Sequence, residues 1–430
     1  MRKKVLIVAY YWPPSGGGGV QRWVKFVKYL RQFGWEPIVY VPENADYPQH
    51  DEELERDIPQ GVKVVKGRIW EPYDIYRSLV GKRDGKPQMG SVTGSKGLMS
   101  KLLFWVRGNF FIPDAKVFWV KPSVKRVKNV VKHEQVDAVI TTGPPHSVHL
   151  IGYHLKRKLD LAWVADFRDP WMHLDNMEEF GMSGIALRKQ RAWQKRVVST
   201  CDRLITLTNH EKESNVANKA ADKIAIIPNG YDESDFESIE SADTNKFILG
   251  HYGTAGADRN HPVLYQALQE LVQENEAFEE HLLLRYAGPT HEVILNDIRK
   301  AGLENNFEYI PYLEHKQALI NMKQCSALLL LINNNRTAKS RLTGKIFEYL
   351  AMNVPILGIG AKEGEADQVI QKTESGAMFE AEDLEQMKAF ISDRFSDFLN
   401  GKRISETNSM KQSYTRENLT RALADLLDSL

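Results

Sequence analysis

The chain has 430 residues, too many for one ordinary core, so two domains of about 200 residues are predicted. With 57 Lys and Arg against 56 Asp and Glu, its formal charge of +1 argues against nucleic acid as the main partner, which would call for a strongly basic face. Two distant cysteines, Cys201 and Cys325, exclude a disulfide framework or a cysteine metal site and point to a cytoplasmic protein.

The first residues, MRKKVLIVAYYWPP, place cations before an apolar run. Val5–Ala9 is too short for a secretion signal and Pro13-Pro14 break it, so a buried strand is predicted. No stretch reaches the roughly 18 uncharged apolar residues of a membrane span. After the strand comes SGGGG, and then a helix in which Val20, Trp23, Val24, Val27 and Leu30 fall at helical spacing before Gly34 closes it. PIVYV (37–41) is the next strand.

This strand–loop–helix–strand pattern recurs. VDAVITTG (136–143) precedes a helix from about Ser147 to Leu159, followed by AWVADF (162–167). DRLITLT (202–208), another helix and KIAIIPNG (223–230) continue the alternation, which predicts a doubly wound parallel sheet. YDESDFESIESADTN reads as a linker. A second alternation then runs through FILGHYG (247–253), a helix over HPVLYQALQELVQE, HLLLRYAG (281–288), FEYIPYL, SALLLLI (326–332), a helix around KIFEYLAM and PILGIG (355–360).

The expected division is an N-terminal domain over 1–230, a second domain over 231–410 and a terminal helix over 411–430, with leucines at 419, 423, 426, 427 and 430. Residues 82–121 fit no element and read as an insertion in the first domain. Its aromatics either pack onto that domain or, with the neighbouring lysines, form a surface over 96–119 for an anionic membrane or lipid-linked acceptor.

A glycine-rich turn between a first strand and a first helix lets a ligand approach the backbone and the helix N-terminus. A dinucleotide fingerprint needs a third glycine where Gln21 or Arg22 stands, and a phosphate loop needs Gly-Lys-Ser/Thr where Val20-Gln21 stands. Both fail; a purely structural turn stays open. In the second half, Lys345 and Glu348 lie one helical turn apart on a helix beginning near Thr343-Gly344, and Arg259 lies in a loop between a strand and a helix. Cations there, with free N–H groups at 343–346, would bind a diphosphate. ADFRDPW places Arg168 and Asp169 at a strand's carboxyl end, and TTGPPHS brings His146 to the same edge. Asp169 could bind or polarise an acceptor hydroxyl; a structural Arg–Asp pair competes, as does a plain surface role for His146. No Asp-x-Asp stands at a strand end, so no metal and no cofactor are expected.

In their order and spacing, WPPSGGGGVQR, TTGPPHSVHLIG, ADFRDPW, IPNGYDESDF, YGTAGADR, RYAGP and KIFEYLAMNVPIL resemble the retaining glycosyltransferases of the GT-B type, specifically the family-4-like enzymes that build bacterial surface polysaccharides. The resemblance covers nearly the whole chain. It implies an α/β fold of two Rossmann-like, doubly wound domains with a cleft between them and a last helix crossing back to the first. It implies a nucleotide-sugar donor, UDP- or GDP-linked, on the second domain and a glycan or lipid-linked acceptor on the first.

Carried over by position, Arg259 matches the residue that neutralises the leaving diphosphate, Thr343 and Gly344 the helix-start donors, and Glu348 the ribose-binding carboxylate. Tyr312 matches the stretch lining the base. Gly253 and Gly288 fall in the donor-site turns, and Gly17, Gly18 and Gly19 match the loop over phosphate and acceptor. Such enzymes often carry a sugar-contacting glutamate where Ser340 stands here; Lys345 resembles a sub-group with a lysine near the phosphates. The implied activity is hexosyl or hexosaminyl transfer with retention. The expected location is the cytoplasm, with peripheral contact at the inner face of the plasma membrane through 96–119. A non-catalytic glycan- or nucleotide-sugar-binding relative and a sugar-nucleotide epimerase are the alternatives.

Overall fold

The computed structural model describes residues 2–45, 47, 50–69, 98–172, 180–216, 221–237, 239–240, 244–333, 338–402 and 408–430. The chain separates into two compact units, Met1–Pro228 with Arg416–Leu430, and Asn229–Thr415.

Unit 1 begins with β1 (Lys3–Ala9), α1 (Gly18–Leu30), β2 (Trp35–Pro42), β3 (Lys63–Gly67), α2 (Leu98–Phe110) and α3 (Val120–Glu134). It continues through β4 (Ala138–Gly143), α4 (Ser147–Leu159), β5 (Ala162–Phe167), α5 (Gly184–Thr200), β6 (Arg203–Thr206), α6 (Asn209–Val216) and β7 (Ile224–Ile226). The strands pair in parallel in the order β3-β2-β1-β4-β5-β6-β7. A strand such as VLIVA, apolar at every position, suits a sheet buried on both faces. Leu6 and Val8 pack towards Val124, Val127 and Val131 of α3, Ile151 and Leu155 of α4, and Val197 of α5. Val5 and Ile7, pointing the other way, pack with Trp23 and Val27 of α1.

The structure adds β3, α2, α3 and α5 to the elements expected of this unit. Of the stretch read as an insertion, residues 82–97 lie outside the described residues. The rest is α2 followed by a turn over Val117–Trp119 that leads into α3. Trp119 is buried, edge-on to Tyr10 at 5.3 Å, and belongs to the unit's core. Phe104 packs on Phe180 and Phe111 on Phe118, whereas Trp105, Phe110 and Phe118 remain exposed.

Unit 2 contains β8 (Phe247–Tyr252), α7 (Pro262–Glu274), α8 (Glu276–His281), β9 (Leu282–Ala287), α9 (Glu292–Lys300), β10 (Phe307–Ile310) and α10 (His315–Lys323). Then follow β11 (Ala327–Leu331), α11 (Lys345–Met352), β12 (Ile356–Ile359), α12 (Glu365–Thr373), β13 (Gly376–Phe379), α13 (Leu384–Leu399) and α14 (Ser409–Gln412). The order is β10-β9-β8-β11-β12-β13, again parallel. α7, α9 and α13 cover one face through Leu264, Leu268, Ile294 and Ile391; α10, α11 and α12 cover the other through Met322, Ile346, Leu350 and Ile370.

The segment after Asn229-Gly230 is not a free linker where it is described. The Tyr231 N–H donates to the Tyr414 carbonyl at 3.1 Å, its hydroxyl donates to the Lys411 carbonyl at 3.3 Å, and Asp232 caps the turn over Glu233–Asp235. The return to unit 1 starts at Arg416 and not at 411, because α14 is anchored in unit 2 by Lys411, which donates to Asn353 Oδ1 at 3.0 Å. The last helix, α15 (Arg416–Asp428), then joins the α1 face of unit 1 through Leu419, Leu423 and Leu427.

Candidate functional site

The unit 2 sheet reverses strand order between β8 and β11, the place where parallel sheets bind ligands outside their carboxyl ends. Gly253 and Arg259 follow β8, Gly288 follows β9, Tyr312 follows β10, and Ser340, Thr343, Gly344 and Lys345 follow β11. Gly253 and Gly288 have φ of 99° and 121°. A Cβ on Gly288 would stand 2.8 Å from the Gly253 backbone, and one on Gly253 would stand 2.8 Å from Lys345 Cε. Both turns therefore need bare backbone to pack against each other and against the lysine.

Lys345 Nζ lies 3.3 Å from His251 Nε2 and, among the described residues, forms no ion pair. Burial pushes its ammonium down to about 7; the Arg259 charge adds to that, and Glu348 opposes it. Arg259 is held by Asn333 Oδ1 at 3.0 Å and the Thr254 carbonyl at 2.7 Å. Glu348 is partly exposed and faces His315 at 3.5 Å, so Lys345 and Glu348 are not an ordinary surface pair. Tyr312 is exposed, Ser340 ends a turn over Ala338–Ser340, and Thr343 Oγ1 is buried without a hydrogen-bond partner among the described residues.

The free helix-start donors expected over 343–346 are fewer than that. The Ile346 and Phe347 N–H groups bond back to the Thr343 and Gly344 carbonyls at 3.3 and 3.2 Å, tightening the first turn. Gly344 has no side-chain cap, and nothing stands within 4 Å of the position a Cβ would take there.

Unit 1 reverses between β1 and β4. Gly17 caps α1 with φ 105°, which a side chain would disfavour. Arg168 lies across the turn: a Cβ on Gly19 would fall 1.2 Å from its Nη1. Its Nη2 donates to the Pro144 carbonyl at 3.0 Å, and its backbone N–H to the Gly143 carbonyl at 3.2 Å. Thus Gly19, Arg168 and the loop carrying His146 are brought together. Nothing stands within 4 Å of a Cβ at Gly18.

His146 is not the surface residue its loop position allowed. It is buried and stacked on Trp171, with ring centroids 4.9 Å apart and planes 15° apart. Burial, with Arg168 adding, pushes it down to about 3, so it is a neutral aromatic at ordinary pH. Asp169 is exposed.

The carboxylate that organises this edge is Asp166, which the sequence reading passed over. Its oxygens accept from Arg22 Nη2 at 3.3 Å, Trp23 Nε1 at 2.9 Å and Thr142 Oγ1 at 2.8 Å, and both Arg22 and Asp166 are fully buried. Arg22 also donates to the Ile227 and Pro228 carbonyls. An acidic residue inside the otherwise apolar AWVADF was the available signal, because a buried charge must be paired. His251 and Asn333 were missed likewise; a histidine within the apolar FILGHY is the same kind of signal.

Among the described residues, no group of three or more His, Cys, Asp or Glu could hold a metal ion. Among them, too, no helix is long and apolar enough to cross a membrane.

No protein-family model matches the chain, and no curated protein matches it in sequence. Solved structures match along its full length. Anabaena HepE, in complex with UDP-glucose, is 13% identical, with 99% of this chain and 100% of that chain covered and a TM-score of 0.58. The lipopolysaccharide outer core galactosyltransferase WaaB, in its apo form, is 11% identical, with 99% of each chain covered and a TM-score of 0.56. A UDP-N-acetylglucosamine 2-epimerase structure from Listeria monocytogenes is 10% identical, covering 100% of this chain and 96% of that one at a TM-score of 0.54. The fold this chain shares with them is GT-B, two Rossmann-like parallel-sheet units of seven and six strands.

Proposed function

We propose that the chain is a glycosyltransferase that moves a sugar from a UDP- or GDP-linked donor, bound by unit 2, to a glycan or lipid-linked saccharide in surface polysaccharide synthesis. The observation that carries the reading is Lys345: a largely buried cation with no ion-pair partner among the described residues, at a glycine-lined sheet switch point. A buried charge without a counter-ion is costly, and an anionic ligand supplies the missing partner. The GT-B fold shared with sugar-nucleotide enzymes is in keeping with it.

In this reading Arg259, Lys345 and the Gly344-Lys345 backbone hold the diphosphate, Glu348 the ribose and Tyr312 the base, with Ser340 and Thr343 beside them. Gly17 to Gly19, Arg168 and Asp169 serve the acceptor, and His146 shapes their support. The bond from the anomeric carbon to the diphosphate oxygen breaks as the acceptor oxygen bonds to that carbon. The acceptor proton passes to the leaving diphosphate, with retention and without metal. Preorganised donors of this kind stabilise the developing phosphate charge by several kcal/mol.

Unit 1 is proposed to touch the inner face of the membrane through 96–119. In support, Leu102, Trp105, Phe110 and Phe118 are exposed; α3 carries five Lys or Arg and one acid, and α5 five and none. Incubating UDP- and GDP-sugars with membrane extract and resolving products tests the activity. A new glycoside with EDTA present is expected. Free nucleotide without a new glycoside would move the assignment to hydrolysis or epimerisation, and binding without turnover to a non-catalytic relative.

A further inference from the structure

His251 lies near the carboxyl end of β8, almost fully buried, its ring 5.4 Å from that of Tyr286. Its Nδ1 is 3.1 Å from the Leu329 carbonyl of β11 and its Nε2 is 3.3 Å from Lys345 Nζ. The Leu329 and Thr254 carbonyls both act on the ring. An ammonium only donates, so Nε2 beside Lys345 is the acceptor and the single proton of the neutral ring is assigned to Nδ1. Nε2 then presents a lone pair, and the ammonium is the donor that fills it. Burial first, and the Lys345 charge second, push this imidazole down to about 3, so the ring stays neutral wherever Lys345 titrates.

A buried lysine is ordinarily paired with a carboxylate, which neutralises it. Here a neutral ring takes that place, and the charged groups that act on Lys345 are Arg259 and Glu348, of opposite sign. The nearby Thr254 carbonyl accepts from Arg259. The ammonium is therefore aimed without its charge being spent.

We propose that His251 is a positioning residue that fixes the Lys345 ammonium through a neutral acceptor, reserving its charge for the diphosphate of a nucleotide-sugar. The inference rests on the donor-site reading above and deepens it. A diphosphate arriving beside Lys345 favours the protonated amine, so above pH 7 binding takes up a proton.

The test is calorimetric titration of the full chain with UDP-glucose and with GDP-mannose from pH 6.5 to 8.5, in two buffers of different ionisation enthalpy. Affinity for the sugar that binds is expected to fall towards tenfold per pH unit above 7, with uptake approaching one proton. Lys345→Arg, which does not titrate there, should lose the pH dependence in whatever affinity it retains. His251→Phe should weaken binding about tenfold at pH 7.5 and move the fall to lower pH, and His251→Gln, which retains an acceptor, should recover most of it. Binding by His251→Phe as tight as that of the unaltered protein at every pH would overturn the role of His251 while leaving the donor site standing. No binding of either sugar at any pH would overturn the donor site itself.

Discussion

The two units share an architecture, a doubly wound parallel sheet with a glycine turn at its switch point, yet they treat charge in opposite ways. At the unit 1 edge the most deeply buried charge is already matched by a carboxylate. Arg22 is matched by Asp166 and by two carbonyls, Arg168 leans on glycine and donates to Pro144, and His146 is kept neutral by burial. At the unit 2 edge Lys345 has an uncharged acceptor and Arg259 is held by an amide and a carbonyl. One fold thus carries an edge whose buried cation, Arg22, is matched by Asp166, and an edge whose largely buried cation, Lys345, forms no ion pair among the described residues.

The contrast can be broken first where the buried pair is deepest. Asp166→Asn leaves Arg22 without its counter-charge inside unit 1, and a loss of about 3–5 kcal/mol in urea-unfolding stability is expected. Lys345→Met removes a cation that lacks an ion pair, so the folded protein should hold its stability. Nucleotide-sugar affinity should instead fall by about 2–3 kcal/mol, roughly 30- to 150-fold, read by calorimetry. Asp166 would then be a residue of stability and Lys345 one of binding; the reverse result would erase the distinction.

A third effect is acid lability. His146 and His251 have folded values near 3, below the ordinary 6.5, so the unfolded chain binds more protons between those values. Their contribution is complete above about pH 6.5 and is lost as pH falls towards 3. Each costs up to about 1.4 kcal/mol per pH unit. Denaturation midpoints across pH 7 to 4.5 should show this slope, and His146→Phe should flatten it. The smallest effect concerns the exposed aromatics of α2: Trp105→Ala with Phe110→Ala should reduce co-sedimentation with anionic vesicles several-fold and leave donor affinity unchanged.

Much of the fold was legible because strands such as VLIVA, AWVADF and SALLLLI are apolar at nearly every position, and the helix that opens at Ser147 carries its periodicity plainly. β3 was not, since KVVKG is a half-exposed strand at the edge of its sheet, flanked by lysines. The tail of the supposed insertion was hidden for another reason: in the core Trp119 packs on Tyr10 and Tyr40, which lie far away in sequence. Of the site, the glycine turns and Lys345 could be read from motifs. The direction of a side chain could not: Asp166 and Asp169 are three residues apart in one motif, and only packing shows that the first is buried in a network while the second faces solvent.

The most direct measurement is an equilibrium binding panel of UDP-, GDP- and ADP-sugars with EDTA present, on the unaltered chain, Lys345→Met and Arg168→Met. One nucleotide class should bind the unaltered chain and Arg168→Met alike and lose at least 30-fold with Lys345→Met. Equal binding by Lys345→Met, or binding abolished by EDTA, would contradict a metal-free donor site built on that unspent charge.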